Sequence, residues 1–260
     1  MNDVNKTMYI PLYGKAYVTR RGIILDDKRA VEIWEKEGFK LSGKSKSKWL
    51  AYYMGMRSRV FDLWLAEKME NVSDAAVIHI GCGMDARVER VDRQGRPWYD
   101  IDFPDVISER RKYYKETDTY KMICSNAVDS EWLDKVSEKS AIVIMEGVSM
   151  YLENNDLLLL FKNLRVHFEK IYILSDFYST FAARISKYKN PINDVGVSKV
   201  YGLDEPKSLE RGTGILFVKE HDMTPLSLID ELSVGERRIF KMLFAGKFAK
   251  KMYKLYEFKG

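Results

Sequence analysis

Cysteine and histidine are both scarce in this chain. Its 260 residues hold two cysteines, Cys82 and Cys124, and three histidines, His79, His167 and His221. Two cysteines in strand-like apolar runs make no disulfide framework; they are expected to be reduced, which fits a cytoplasmic compartment. None of the histidines belongs to a recognisable catalytic pair, so all three read as structural. No ligand spacing suits a metal, and none is expected. No apolar run approaches the ~18 residues of a membrane span; the longest, Leu157 to Phe161, is a helix face. The opening stretch MNDVNKTMYIPLYGK lacks the charged-then-apolar pattern of a secretory leader, so none is expected. Repeats and low-complexity tracts are absent too. A single sign of charge does not dominate: 43 Lys and Arg stand against 38 Asp and Glu, a net +5. That is a weak attraction for anions, not a nucleic-acid footprint.

What is present is enough apolar material, 46% of the chain, for a sizeable core in one α/β domain with additions, or at most two small domains. The first 70 residues read as helix and loop. Lys28 to Lys36 is a short amphipathic helix stopped by Gly38. LSGKSKSKW follows, with Lys44, Lys46 and Lys48, either an exposed loop or a substrate contact. From Ser47 to Glu70 apolar residues recur every three or four positions, the mark of a long helix.

After Asn71 short apolar runs alternate with helical stretches. The runs are 75–81, 96–102, 120–126, 140–147 and 169–177, and helices are expected over Pro104–Lys112, Glu131–Val136 and Asn154–Phe168. Near-continuous apolar strands between helices predict a parallel sheet covered on both faces. Two later strands, 214–223 and 251–259, flank a helix expected over Val234–Phe248. That total matches a seven-stranded, mostly parallel, Rossmann-like sheet better than the six strands of a dehydrogenase. The organisation expected is a helical cap over 1–70 and a Rossmann-like domain over 71–260, together forming one structural unit.

The strand ends carry the chemistry. The first run closes as HIGCGMDAR, where Gly81 and Gly83 allow positive φ and close approach of a ligand, or simply a tight turn. Ala86 occupies the third position of the dinucleotide pattern G-x-G-x-x-G, which demotes NAD. Asp85 would repel a pyrophosphate and suit a neutral or cationic ligand. The second run ends WYDIDFP; an acid there accepts hydrogen bonds from ribose hydroxyls. Asp100 and Asp102 share one side of the strand, and the terminal position favours Asp102, with a helix N-cap as the plainer role. Asn126 follows the third run, as an adenine contact or a turn residue. Glu146 ends the fourth run, a costly place for a carboxylate unless it meets a cation. The ammonium and sulfonium of S-adenosylmethionine would answer that need, and so would a structural salt bridge. Tyr151 and Tyr201 line an acceptor pocket or pack.

Taken together, YGKAYVTRRGIILDD, MRSRVFDLWL, VIHIGCGMDARVERV, WYDIDFPDVISERR and IMEGVSMYL resemble the leucine carboxyl methyltransferase family, which includes bacterial polyketide-type O-methyltransferases. The likeness covers most of the chain. It implies a class I S-adenosylmethionine-dependent O-methyltransferase with S-adenosylhomocysteine as product. It implies that Arg57 grips the cofactor carboxylate, that Lys15 contacts the cofactor, and that Gly81 approaches its methionine part. It also implies that Asp102 holds the ribose, that Asn126 lies near the adenine, and that Glu146 lies near the amino group. Tyr151 and Arg57 are the catalytic candidates.

A carboxylate acceptor with pKa ~4 is ionised at neutral pH and needs no base, whereas a phenol with pKa ~10 does. The absence of a catalytic histidine therefore favours a small organic acid or a peptide C-terminus. Lys15, Arg20, Arg21 and Arg211 are the candidate anchors for such an acid. The basic stretch with Lys247, Lys250, Lys251 and Lys254 reads as a solvated face, and no nucleic-acid partner is expected. Two alternatives remain at this point: a S-adenosylmethionine-binding module without catalysis, and an NAD(P)-dependent reductase.

Overall fold

Strands buried on both faces need helices above and below them, and the chain supplies both layers. A computed structural model describes residues 7–41, 43–189 and 199–260; at 187–189 it describes the backbone alone. The first six residues of the opening stretch and Ser42 of the lysine-rich loop lie outside the described residues. The strands are β1 (Ala75–Ile80), β2 (Trp98–Asp102), β3 (Tyr120–Cys124), β4 (Ser140–Met145), β5 (Lys170–Tyr178), β6 (Leu216–His221) and β7 (Tyr253–Lys259). They form one seven-stranded sheet in the order β3-β2-β1-β4-β5-β7-β6. Strands β1 to β5 run parallel, and β7 pairs antiparallel with β5 and β6. The sheet is the expected seven-stranded, mostly parallel, Rossmann-like one.

Three helices precede the sheet: α1 (Tyr9–Arg20), α2 (Lys28–Glu37) and α3 (Lys48–Asn71). Asp27 caps α2 by accepting from the Ala30 N–H, and Ser47 caps α3 by accepting from the Trp49 N–H. Helices α1 and α3 cross closely because each offers a glycine to the other. A Cβ on Gly14 would sit 2.7 Å from Met54 Cβ, and one on Gly55 would sit 2.8 Å from Val18 Cγ2. This crossing holds Lys15 and Arg57 over the sheet. The apolar sides of these helices share one core with Val77, Ile142 and Leu174 of the sheet. A second core on the opposite face joins Ile78, Val143 and Ile173 to Leu160, Phe161 and Leu164 of the helix Asn154–His167.

Two expected helices differ. The stretch 131–136 holds only a 3-10 turn, Leu133–Lys135. Trp132 is buried there and its indole N–H donates to the Ala127 carbonyl, which fixes a tight turn instead of a propagating helix. The helix expected over Val234–Phe248 is three pieces: an α-helix Val234–Phe240, a π-helical turn Lys241–Ala245, and a second helix Lys247–Met252. Gly246 separates the last two with extended backbone, φ −71° and ψ 159°, the weak point a glycine makes inside a helix. Among the described residues, no helix is long and apolar enough to cross a membrane.

Candidate functional site

In an open α/β sheet the ligand crevice opens where the strand order reverses, outside the carboxyl ends of the strands. Here that point lies between β1 and β4. Register does the rest: Ile80 of β1 stands opposite Ile101 of β2 and Met145 of β4. The next residue on each strand is Gly81, Asp102 and Glu146, so the three arrive side by side at one sheet edge. All three line a cavity of about 780 Å³, together with Gly83, Asn126, Lys15, Arg57 and Tyr151. These eight residues share one cavity, of the size usual for small-molecule sites, whereas Asp100 and Tyr201 do not line it.

The loop after β1 is shaped for close approach. Gly81 has φ +66°, and a Cβ there would sit 2.3 Å from Val148 Cγ2. Asp102 accepts one backbone N–H on each carboxylate oxygen, from Gly83 and from Phe103, both at 2.8 Å. A carboxylate has about four acceptor sites, so each oxygen keeps one for a ligand. Burial pushes the Asp102 carboxyl up to about 6, against the pull of these two N–H donors. Asp100 has a different task. It accepts from the Trp98 indole at 2.8 Å, from Arg110 Nε at 2.8 Å and from the Tyr120 hydroxyl, and it does not line the cavity. Asn126 serves as the turn residue that was its plainer reading, accepting from the Val128 N–H at 3.3 Å, and also lines the cavity.

Beside the loop lies a buried ionic network. Arg57 Nε donates to Glu146 at 3.1 Å, and its Nη1 donates to Asp176 at 3.1 Å and to the Tyr253 hydroxyl at 2.8 Å. Arg87 bonds the other Glu146 oxygen and Asp62. Burial works against the Glu146 charge, but Arg57 and Arg87 overcome it and hold the carboxyl down to about 2. Glu146 thus has the structural salt bridge weighed in the sequence, and lies at the cavity wall as well. Asp85 requires a correction: its carboxylate is not an open negative wall against pyrophosphate. It is paired with Lys15 at 2.7 Å, Arg90 at 3.1 Å and Arg87 at 3.5 Å.

The far end of the cavity is apolar. Ile10, Trp49, Met54, Met150, Tyr178 and Phe244 line it, with Tyr151 and Tyr253 between the two ends. Burial pushes the Tyr151 and Tyr253 hydroxyls above their ordinary range, and the Tyr253 hydroxyl donates to Asp176. Of the four candidate anchors for an acidic acceptor, only Lys15 reaches the cavity. Arg20 pairs with Glu35, Arg21 with Glu236, and Arg211 lies 4.0 Å from Glu205. The loop lysine Lys44 does line the cavity, which favours the functional reading of that loop over the plain one. Tyr201 donates to Glu153 outside the cavity.

A model of the leucine carboxyl methyltransferase family matches residues 12–165. The chain belongs to the leucine carboxyl methyltransferase family. Two curated relatives agree. The tetracenomycin polyketide synthesis O-methyltransferase TcmP of Streptomyces glaucescens is 28% identical over 227 residues, covering 86% of this chain and 84% of the relative. The S-adenosyl-L-methionine-dependent methyltransferase dpfgK of Gibberella zeae is 24% identical over 234 residues, covering 81% and 78%. Among solved structures, magnesium protoporphyrin IX methyltransferase of Synechocystis with bound S-adenosylhomocysteine superposes with a TM-score of 0.53 at 10% identity, over 88% of this chain and 93% of that one. It shares the class I fold. The protein is therefore a S-adenosylmethionine-dependent O-methyltransferase of this family, and the NAD(P) alternative has no support. The site fits that cofactor: Gly81 brings bare backbone at φ +66° to the cavity wall beside Val148, and Asp102 presents two unused acceptor positions.

The sequence reading passed over three members of this methyltransferase site. Asp176 lies inside β5, two residues before its end, and an acid within an apolar strand was the available signal. Arg87 stands inside the quoted GMDAR motif without a role. Tyr253 carries no local signal, because it meets Arg57 across 196 residues of chain. Of the three histidines, His79 lines the cavity, and His167 and His221 do not. Burial lowers the pKa of His79, which sits 3.4 Å from Asp100; His221 bonds Glu257; His167 bonds the Val136 carbonyl.

Proposed function

We propose that this methyltransferase esterifies the carboxylate of a small organic acid with an apolar, partly aromatic body. The observation that carries the reading is the acceptor end of the cavity. It presents Tyr151, Tyr178, Trp49 and Phe244, and among the described residues it presents no carboxylate or imidazole; the one histidine in the cavity lining, His79, lies on β1 against Asp100. A carboxylate acceptor requires none. The name of TcmP, an O-methyltransferase of polyketide synthesis, favours a polyketide-type acid over a peptide C-terminus.

The roles follow from position. Asp102 accepts the ribose hydroxyls on its two unused acceptor sites, and Gly81 lets the methionine part approach the backbone. Arg57 and Lys15 face the cofactor carboxylate, Glu146 faces its ammonium, and Asn126 lies by the adenine. Bound S-adenosylmethionine supplies a methyl group already activated by its sulfonium. The chain's task is then alignment and exclusion of water. Tyr151, protonated and placed between the two ends, donates a hydrogen bond that orients the acceptor. Lys44 draws its anionic group into the cavity.

The test is a panel of hydrophobic acids and their hydroxyl analogues, read by base-labile methyl ester formation and by the pH profile of turnover. Ester formation with kcat flat between about pH 6 and pH 9 supports the reading, because a carboxyl group is ionised throughout. Methylation of phenols alone, rising about ten-fold per pH unit, contradicts it. Tight cofactor binding with no turnover on any acid favours the non-catalytic alternative.

A further inference from the structure

From Arg237 to Tyr256 the chain holds seven lysines and arginines and no acidic residue. The π-helical turn and the helix that follows it lie within this stretch and cover the apolar end of the cavity. Phe244 anchors them inward, its ring 5.1 Å from that of Tyr53 and 5.4 Å from that of Phe240. Three of their apolar side chains are exposed. Met242 is 74% exposed, Phe248 67% and Leu243 44%. Across the opening stands the helix Thr180–Lys189, also free of acids, whose Phe181 is 53% exposed and lies with its ring 6.4 Å from that of Phe248. Leu243, Phe248 and Ile185 belong both to this outer surface and to the cavity lining, so the apolar patch is the cavity mouth.

Cations surround it. Lys241, Lys247, Lys251 and Arg184 are exposed and form no ion pair among the described residues. Lys250 and Lys254, by contrast, pair with Asp222 and Glu220. Protruding Met, Leu and Phe side chains set among unpaired lysines are the composition of segments that lie in a lipid interface. There the apolar groups enter the acyl boundary and the cations meet anionic headgroups. A nucleic acid would satisfy the lysines but leave Met242 and Leu243 in water.

We propose that the cavity mouth docks on an anionic lipid surface, so that an amphiphilic acceptor exchanges between bilayer and cavity without crossing water. The docking surface stands independently of which group on the acceptor is methylated.

Sedimentation of the full chain with phosphatidylcholine vesicles, with and without phosphatidylglycerol, tests this. Binding is expected only to the phosphatidylglycerol vesicles, falling as salt rises. The double variant Lys247→Gln/Lys251→Gln is expected to bind about 25-fold more weakly, about five-fold per lysine. Met242→Ser is expected to bind roughly ten-fold more weakly through lost apolar burial. Both variants should keep the wild-type melting temperature, which shows that the fold is intact. Three results would overturn the proposal: no binding to anionic vesicles, equal binding to neutral ones, or displacement from vesicles by single-stranded RNA whose binding is unchanged in Met242→Ser. The last would assign the patch to nucleic acid.

Discussion

The two ends of the cavity are built differently. The cofactor end is polar, made of consecutive strand ends and loops, and braced by a buried network in which Arg57, Arg87, Lys15 and Arg90 meet Glu146, Asp176, Asp85, Asp62 and Asp27. The acceptor end is apolar, drawn from helices far apart in sequence, and held by ring contacts such as Tyr53 with Phe244 and Tyr178 with Tyr253. The contrast teaches a division of labour. A fixed ligand is met by side chains locked by their own partners, whereas a variable one is met by surfaces that repack at small cost.

Substitutions at the two ends should therefore fail in different ways. The largest effect is expected for Glu146→Ala. It leaves Arg57 and Arg87 short of a partner in the interior and should cost about 3 kcal/mol of stability, the lower part of the range for a broken buried pair, because Asp176 and Asp62 remain. Urea unfolding measures it, and a loss below about 1 kcal/mol would mean that the network does not brace the fold. Next comes Gly81→Ala, which meets Val148 and forces an L-residue into the left-handed region. It should lower cofactor affinity about ten-fold or more, and Gly81→Ala/Val148→Ala should recover only the steric part. The smallest effects belong to the acceptor end. Tyr151→Phe should lower kcat/KM about ten-fold, the low end for one hydrogen bond to a charged group. Lys44→Gln should raise KM for an acidic acceptor up to about five-fold. Neither should change cofactor affinity or stability by more than about 1 kcal/mol, and a change in cofactor affinity from either would blur the division between the ends.

The same contrast explains what the sequence could tell. Strand ends are read locally. An apolar run of β1, β2 or β4 announces itself, and the residue closing it must face the sheet edge, so Gly81, Asp102 and Glu146 were legible before any register was known. The choice of Asp102 over Asp100 was legible from the terminal position. What settled it was the indole of Trp98, which takes up Asp100 two residues earlier on the same strand. The acceptor end gives no local sign. Apart from Tyr151, named from its place after β4, the side chains of this end, Tyr53, Phe244 and Tyr253, read as ordinary packing until α3, the π-helical turn and β7 converge. Asp85 misled for a related reason: its three cationic partners come from α1 and from the residues just after it, and a motif shows a charge without showing what neutralises it.

The account rests on Asp102 meeting the ribose as a carboxylate. Burial raises its pKa to about 6, so the ionised acceptor is present above that pH and is lost as pH falls through it. Calorimetric titration of S-adenosylmethionine from about pH 8 to about pH 5 should show affinity constant above about pH 6 and weakening about ten-fold per unit below it. Asp102→Ala should bind about 10- to 100-fold more weakly at pH 8, as expected for lost hydrogen bonds to a charged group, and show no such dependence. Wild-type affinity in Asp102→Ala, or the same pH dependence in both proteins, would contradict the account.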